Sequence, residues 1–505
     1  MQNEKTKIYF ISIILFVIVS RSITFLDTDV FLSDDDAGFA LAAYDYNIKE
    51  SRPHLPGYFL LIKTISVVNV LTGSSFITMK LLVILLSVLS AIIIFKLFQY
   101  HFNGKNSFLY TLIIFTNPLV WFYQSTPESY VYDLFFASII ALIYYKRHTY
   151  YLYLPIISIM GGIRMSSAFF LIPLYIFITY MYWRERRVDI INILFANLIG
   201  IIVTAIWVTP LLNSVGGLSQ YLKLYSTHNP MPAIGVIKNI VGFLSYSISF
   251  GIPFLIISLY QLFKRKKLAL NSKSNIYFLM IWIIPGLFFF IFGHYSKGYI
   301  LLIYPALVIL IGLWLDRKSE KLLIIIIAVQ SLFFLIYPYT KVELDSLFRR
   351  EVRQLSLPKV AWNRLNNGYL HTYSRISNRN ELFESFDSCI NYLENNDSNF
   401  TIFDGKTSLL TINSQVYRYP EIEFVTQKNF FREDEYILQK GTTLEYRYGL
   451  EELYSKVYIL CDVRMIEKYS DLIEVEYETN IHALIKVKTG KEKEFKEFYE
   501  NLYSK

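Results

Sequence analysis

Residues 33–58 read SDDDAGFALAAYDYNIKESRPHLPGY. Three consecutive carboxylates, Asp34, Asp35 and Asp36, open the stretch, and Pro53-His54-Leu55-Pro56-Gly57-Tyr58 closes it. The apolar run 8–26 precedes it and others follow. Carboxylates are costly in hydrocarbon, so three in a row between apolar runs belong at a membrane surface or in a wet cavity. The stretch is therefore read as the first loop of a chain that crosses a membrane repeatedly. The same residues suit the start of a helix over AGFALAAY, because Asp satisfies free N–H groups and the helix dipole. One of the three is expected to cap, and the group as a whole to serve a function.

Composition agrees with that reading. The chain has 505 residues, 54% of them hydrophobic, and a mean hydropathy of +0.36, too apolar for an ordinary soluble protein of this length. The net charge of +8 is no nucleic-acid footprint, because Lys and Arg fall in short clusters between apolar runs, as orientation signals do. The 41 tyrosines suit interfacial belts and sugar-contacting walls. Lys5 and Lys7 precede the apolar residues 8–19 without a small-residue cleavage site, which reads as a retained signal-anchor helix.

A helix needs about 20 mostly apolar residues to cross a bilayer. Spans are expected near 8–26, 79–99, 107–124, 129–145, 150–163, 166–182, 190–211, 246–263, 276–293, 299–315 and 321–338. The two around Gly161-Gly162 are short and read as a broken pair. Residues 55–73, apolar but carrying Lys63, and 233–245 read as helices lying in the interface. With every span counted, Lys5/Lys7, Lys146/Arg147, Arg184/Arg186/Arg187, 264–267 and Arg317/Lys318/Lys321 share one side, which the positive-inside rule makes cytoplasmic. The outer side then receives 27–78, 125–128, the turn at Arg164, 212–245, the turn 294–297 and everything after Tyr339.

Beyond Tyr339 charge rises and the long apolar runs stop. Residues 381–394 have helical spacing, and 399–403, 457–461 and 483–487 read as short strands. The expected organisation is a membrane domain, 1–339, and an extracytoplasmic α/β domain, 340–505. Cys389 and Cys461 fall in the second, either joined in a disulfide or free and buried.

The outer side gathers the candidates for chemistry. Asp34, Asp35 and Asp36 supply carboxylates for a general base. Arg164, His294 and Lys297, with Arg52 and His54 in the loop itself, supply cations for a phosphate. Each has a plainer reading: a turn for His54, a snorkelling side chain for Arg164, interfacial anchoring for His294 and Lys297. Glu128 starts the next helix or binds substrate, and Asp133, one turn later, reads as a partner for a buried donor. Arg21, inside the first span, reads as an ion-pair partner.

In this order the elements resemble the GT-C superfamily of polyprenyl-phosphate-sugar-dependent glycosyltransferases, which includes protein O-mannosyltransferases and the aminoarabinose transferases of lipid A. The resemblance covers about residues 1–340. It rests on Asp35 a few residues before Phe39-Ala40-Leu41, and on Pro53, His54, Pro56, Gly57 and Tyr58, where Leu55 departs from the usual proline doublet. It continues through Asn117-Pro118-Leu119-Val120-Trp121, Glu128, Tyr130, Gly162-Ile163-Arg164, Gly216-Gly217, Tyr221 and Gly298-Tyr299 before Pro305.

The resemblance implies an α-helical polytopic GT-C-like fold of about eleven transmembrane helices in a cell or plasma membrane. It also implies an inverting transfer of sugar from a polyprenyl (dolichyl-like) phosphate to an extracytoplasmic hydroxyl of a glycan, lipid or protein. Asp35, with Asp36 next, is then catalytic, and Asp34, His54, Glu128, Arg164, His294 and Lys297 bind substrate or lipid phosphate. A monophosphate donor requires no metal, although the Asp cluster offers oxygen ligands to Mg²⁺ or Mn²⁺. The alternatives are a transporter or flippase, or a polymerase, of lipid-linked glycans. A transporter would carry polar residues deep in several spans or an inverted repeat, and neither is evident.

Overall fold

The computed structural model describes residues 2–228, 273–292, 297–314, 320–336 and 373–495. Within those ranges it leaves out 29, 51, 148–149, 398–399, 405–411, 428–435, 441–442, 447–456, 464–465 and 467–469. The chain divides into two compact units, the first mainly Met1–Asp27 and Asn47–Tyr339, the second mainly Thr28–Tyr46 and Ile376–Lys505.

The first unit is helical. It contains α1 (Gln2–Leu26), α3 (Phe59–Thr72), α4 (Ser75–Phe98), α5 (Gly104–Thr116), α6 (Pro118–Tyr123), α7 (Tyr130–Lys146) and α8 (Tyr153–Ile163). After these come α9 (Met165–Arg184), α10 (Ile190–Val215), α11 (Leu218–His228), α12 (Lys273–Phe292), α13 (Tyr304–Trp314) and α14 (Glu320–Ile336). The expected spans coincide with these helices, except 246–263, which with 233–245 lies outside the described residues. Among the described residues, four helices are long and apolar enough to cross a membrane by length and composition: Glu4–Leu26, Ser75–Phe98, Met165–Arg184 and Ile190–Val215. The other expected spans are shorter or interrupted.

The interruption at Asn117-Pro118 has a clear physical cause. Pro118 lacks an N–H and takes the first position of α6, while Asn117 Oδ1 accepts from the amides of Leu119 at 3.0 Å and Val120 at 3.4 Å. The break frees carbonyls at the end of α5, which hydrocarbon cannot satisfy. Fully buried Arg21 does so, its Nη2 donating to the Phe115 carbonyl at 2.7 Å and to Gln124 Oε1 at 2.6 Å. Its partners among the described residues are neutral, which corrects the expected ion pair: the guanidinium caps a helix end instead.

The short helix α8 packs closely on α10. An added Cβ on Gly162 would come within 2.5 Å of Leu60 and 3.0 Å of Trp207, and one on Gly200 within 2.4 Å of Leu154. Small residues thus let the backbones approach. Trp207 Nε1 and Ser158 Oγ then bridge the pair, donating at 3.0 Å each to the carbonyls of Ser158 and Gly200 respectively.

Among the described residues, the second unit holds a seven-stranded sheet in the order β4-β3-β2-β1-β5-β7-β6. Its strands are β1 (Thr401–Asp404), β2 (Glu423–Gln427), β3 (Tyr436–Lys440), β4 (Thr443–Tyr446), β5 (Tyr458–Asp462), β6 (Ile473–Glu478) and β7 (His482–Val487). β1 pairs parallel with β2 and β5, and the other pairings are antiparallel. Strand alternation makes two cores. Phe403, Val425, Ile459, Cys461 and Ile485 face one, while Ile402, Phe424, Leu460 and Leu484 face the other with α15 (Tyr373–Asn396) and α16 (Ile412–Arg418). Cys389 sits on α15 in the second core, so the sheet separates it from Cys461; both are buried thiols outside any disulfide, and the disulfide option falls away. α2 (Asp34–Ala42) belongs to this unit, with Val30 and Leu41 buried among Phe383, Phe386 and Val416.

Candidate active site

In the second unit the three Asp residues diverge. Ser33 caps α2, and Asp36, at the third helical position, completes a capping box. Its Oδ2 accepts from the amides of Leu32 at 3.2 Å and Ser33 at 3.3 Å, and its Oδ1 accepts from the Ser33 hydroxyl. Asp36 is fully buried. Burial pushes its carboxyl up to about 7; the Ser33 hydroxyl opposes this, the Asp35 charge adds to it, and the backbone N–H donors oppose it. Asp34 is exposed and accepts at 2.9 Å from Asn413 Nδ2 of α16. Asp35 is exposed at the second helical position. Asp34 and Asp36 thus anchor the segment on either side of the exposed Asp35. Among the described residues no group of three or more His, Cys, Asp or Glu is placed to hold a metal ion.

In the first unit, residues of the expected spans 129–145, 166–182 and 299–315 converge on Arg164. This residue breaks α8 from α9 with an extended backbone and is 2% exposed. Its Nη1 donates to Ser129 Oγ at 2.6 Å, and its Nε lies 3.4 Å from Ser167 Oγ and 3.1 Å from Asp133 Oδ2. Asp133 on α7 is buried, as expected of a partner for a buried donor. The rings of Tyr130 and Tyr299 stand 4.2 and 4.8 Å from the guanidinium carbon, and each contributes cation–π attraction. Among the described residues Nη2 has no hydrogen-bond partner, so one edge of the guanidinium is left for another acceptor.

Neighbouring segments complete the surroundings. Ser166 Oγ donates to Tyr299 Oη at 3.2 Å, and Tyr221 Oη donates to the Pro56 carbonyl at 3.1 Å. The His54 Nε2 and Tyr58 Oη atoms are 3.1 Å apart, both side chains half-buried. Glu128 is half-buried and directly precedes Ser129. Lys297 opens a 3₁₀ turn, Lys297–Leu302, ahead of Tyr299, while His294 lies outside the described residues. Arg164 is therefore joined with Ser129, Tyr130, Asp133, Ser167 and Tyr299, of which sequence reasoning offered Tyr130 and Tyr299 only as family markers.

Gly298 sets the spacing of this cage: an added Cβ would stand 2.1 Å from the Tyr130 ring. Gly298→Ala is expected to displace that ring and destabilise the protein by about 1–3 kcal/mol, measured as a lowered unfolding temperature in detergent.

The chain thus combines a helical unit, in which helices of the described residues are long and apolar enough to cross a membrane by length and composition, with an α/β unit that includes the first acidic helix. The solved structures it is similar to are of ArnT from Cupriavidus metallidurans, an aminoarabinose transferase. The apo structure matches with a TM-score of 0.59 and 13% identity, over 96% of this chain and 98% of that one. The structure bound to undecaprenyl phosphate matches with a TM-score of 0.56 and 12% identity, over 95% and 98%. At such identity the likeness is one of fold. No protein-family model matches the sequence, and no curated protein matches it significantly.

Proposed function

We propose that the chain is an integral membrane glycosyltransferase. It takes a sugar from a polyprenyl phosphate and delivers it, with inversion, to an acceptor hydroxyl on the extracytoplasmic side. The observation that carries this reading is the ArnT fold over nearly the whole chain, with ArnT itself seen bound to undecaprenyl phosphate. The chemistry of this chain's own residues supports it. As the sugar–oxygen bond breaks, negative charge grows on the departing phosphate, and a cation preorganised in a dry site stabilises it. The open Nη2 edge of Arg164 is assigned that contact, aided by His54, Lys297 and His294, with Glu128 toward the acceptor. Asp35 is assigned as the base that takes the acceptor hydroxyl proton, so that oxygen attacks the anomeric carbon from the face opposite the phosphate.

A single donor phosphate met by an arginine does not demand a divalent ion, so transfer is expected to persist in EDTA without added Mg²⁺ or Mn²⁺. The test of the function is incubation of purified protein in lipid with radiolabelled polyprenyl-phosphate sugars and a panel of glycan, lipid and protein acceptors. Labelled product of inverted anomeric configuration supports the reading. No transfer from any donor, together with movement of a lipid-linked glycan across the bilayer, would replace it with a transporter.

A further inference from the structure

We propose that the α/β unit is the positioning element for the catalytic carboxylate, acting through Asn413 and Arg379. The role of Asp35 rests on the glycosyltransferase reading; the anchoring rests on packing alone. α2 has nine residues, too few to hold a helix unaided in water. Its segment joins a unit whose other main part begins at Ile376. Apolar burial supplies part of the hold, through Val30 and Leu41 in the core that Phe383, Phe386 and Val416 share. Two polar ties supply direction. Arg379 Nε on α15 donates to the Phe31 carbonyl at 3.0 Å, and Asn413 Nδ2 on α16 donates to Asp34 Oδ1 at 2.9 Å. Both donors are nearly buried, at 7% and 8% exposure, and the Phe31 ring meets Tyr417 edge-on at 4.9 Å.

Asp35 stands between two anchored neighbours, Asp34 tied to Asn413 and Asp36 closed into the capping box. Its backbone is therefore fixed while its own carboxylate is exposed. A base must be placed to a fraction of an ångström, and a misplacement of about 1 Å costs about a hundredfold in rate. Asn413 and Arg379 touch no reacting atom in this scheme; they act by placing Asp35.

The test uses the full chain in lipid, with amide hydrogen exchange over residues 32–42 and steady-state kinetics. Asn413→Asp sets a carboxylate against Asp34 and is expected to lower protection of those amides at least about tenfold. With it, kcat should fall about tenfold or more while the KM for donor stays unchanged. Pairing Asn413→Asp with Asp34→Asn reverses donor and acceptor and should restore protection, which a general loss of stability would not do. Unchanged protection and kcat in Asn413→Asp, or no recovery in the swapped pair at a native unfolding temperature, would overturn the proposal. Absence of transfer by the native protein would instead overturn the enzyme reading, and the exchange series would still decide whether the α/β unit orders α2.

Discussion

Asp35→Asn is expected, on the glycosyltransferase proposal, to lower kcat for sugar transfer about 10³-fold without unfolding the protein, whereas Asp36→Asn should stay within about tenfold of the native rate. The two residues are adjacent, and only their surroundings separate them. Asp36 is fully buried, and its oxygens accept from Ser33 and the amides of Leu32 and Ser33, so it has no route to an acceptor. Asp35 is exposed. The same environment gives Asp36 a signature in stability. Its carboxyl holds its proton to about pH 7 in the folded chain, against an ordinary value of 3.8. Between these values the unfolded chain binds fewer protons than the native one. The contribution of Asp36 is therefore complete below the ordinary value and is lost as pH rises through about 7. Asp36→Asn should flatten that decline, while Asp36→Ala, which removes the cap, should cost about 1–2 kcal/mol at every pH. Thermal unfolding of both variants between pH 4 and pH 8, beside kinetics of the two Asn variants, checks the assignment. Equal collapse of transfer in both Asn variants at native stability would return Asp36 to the catalytic set.

How much of this was legible in the sequence follows from the range of each interaction. Apolar runs and short strands are local patterns, so α1, α4, α9, α10, β1, β5 and β7 could be placed from composition and alternation alone. β2, β3, β4 and β6 could not, because strands beside charged loops carry weak alternation. The break at Asn117-Pro118 was written in the residues but concealed by an otherwise continuous apolar run. Asp133 could be read as a donor's partner because a carboxylate in an apolar helix has few other options. Its pairing with Arg164, 31 positions later, depends on how α7 meets the α8–α9 break. Harder still was the tie between Asp34 and Asn413, 379 residues apart, since no periodicity links a membrane-flanking loop to a distant domain. The triple Asp was expected to combine a cap with a function. Which residue does which depends on a buried capping box, and three identical side chains in a row carry no mark of it.

Arg164→Met is expected to cost about 3–5 kcal/mol and to prevent recovery of folded protein, because it leaves the Asp133 carboxylate buried without its counter-charge. That loss says nothing about phosphate, so the single variant cannot test the catalytic reading. The double variant Asp133→Leu with Arg164→Met can. It replaces the pair by apolar side chains of similar bulk, and such replacements of buried pairs are commonly neutral or stabilising. The tyrosine cage lends itself to the exchange: Tyr130 and Tyr299 flank the guanidinium, and a methionine sulfur also packs well against aromatic rings. The double variant should therefore fold near native stability. If Arg164 Nη2 holds the donor phosphate, it should nonetheless bind undecaprenyl phosphate about 10²-fold more weakly, the loss of a charge-assisted hydrogen bond worth about 3 kcal/mol, and transfer should fall at least as far. If the pair serves only to join α7 to the α8–α9 break, the folded double variant will match the native protein in lipid-phosphate binding and in the proposed sugar transfer. The phosphate would then have to be met by other cations, and Arg52, His54 and Lys297 would be the next to replace. Binding of undecaprenyl phosphate, measured beside the unfolding temperature of the same preparation, separates the two because stability is expected to be equal in both cases.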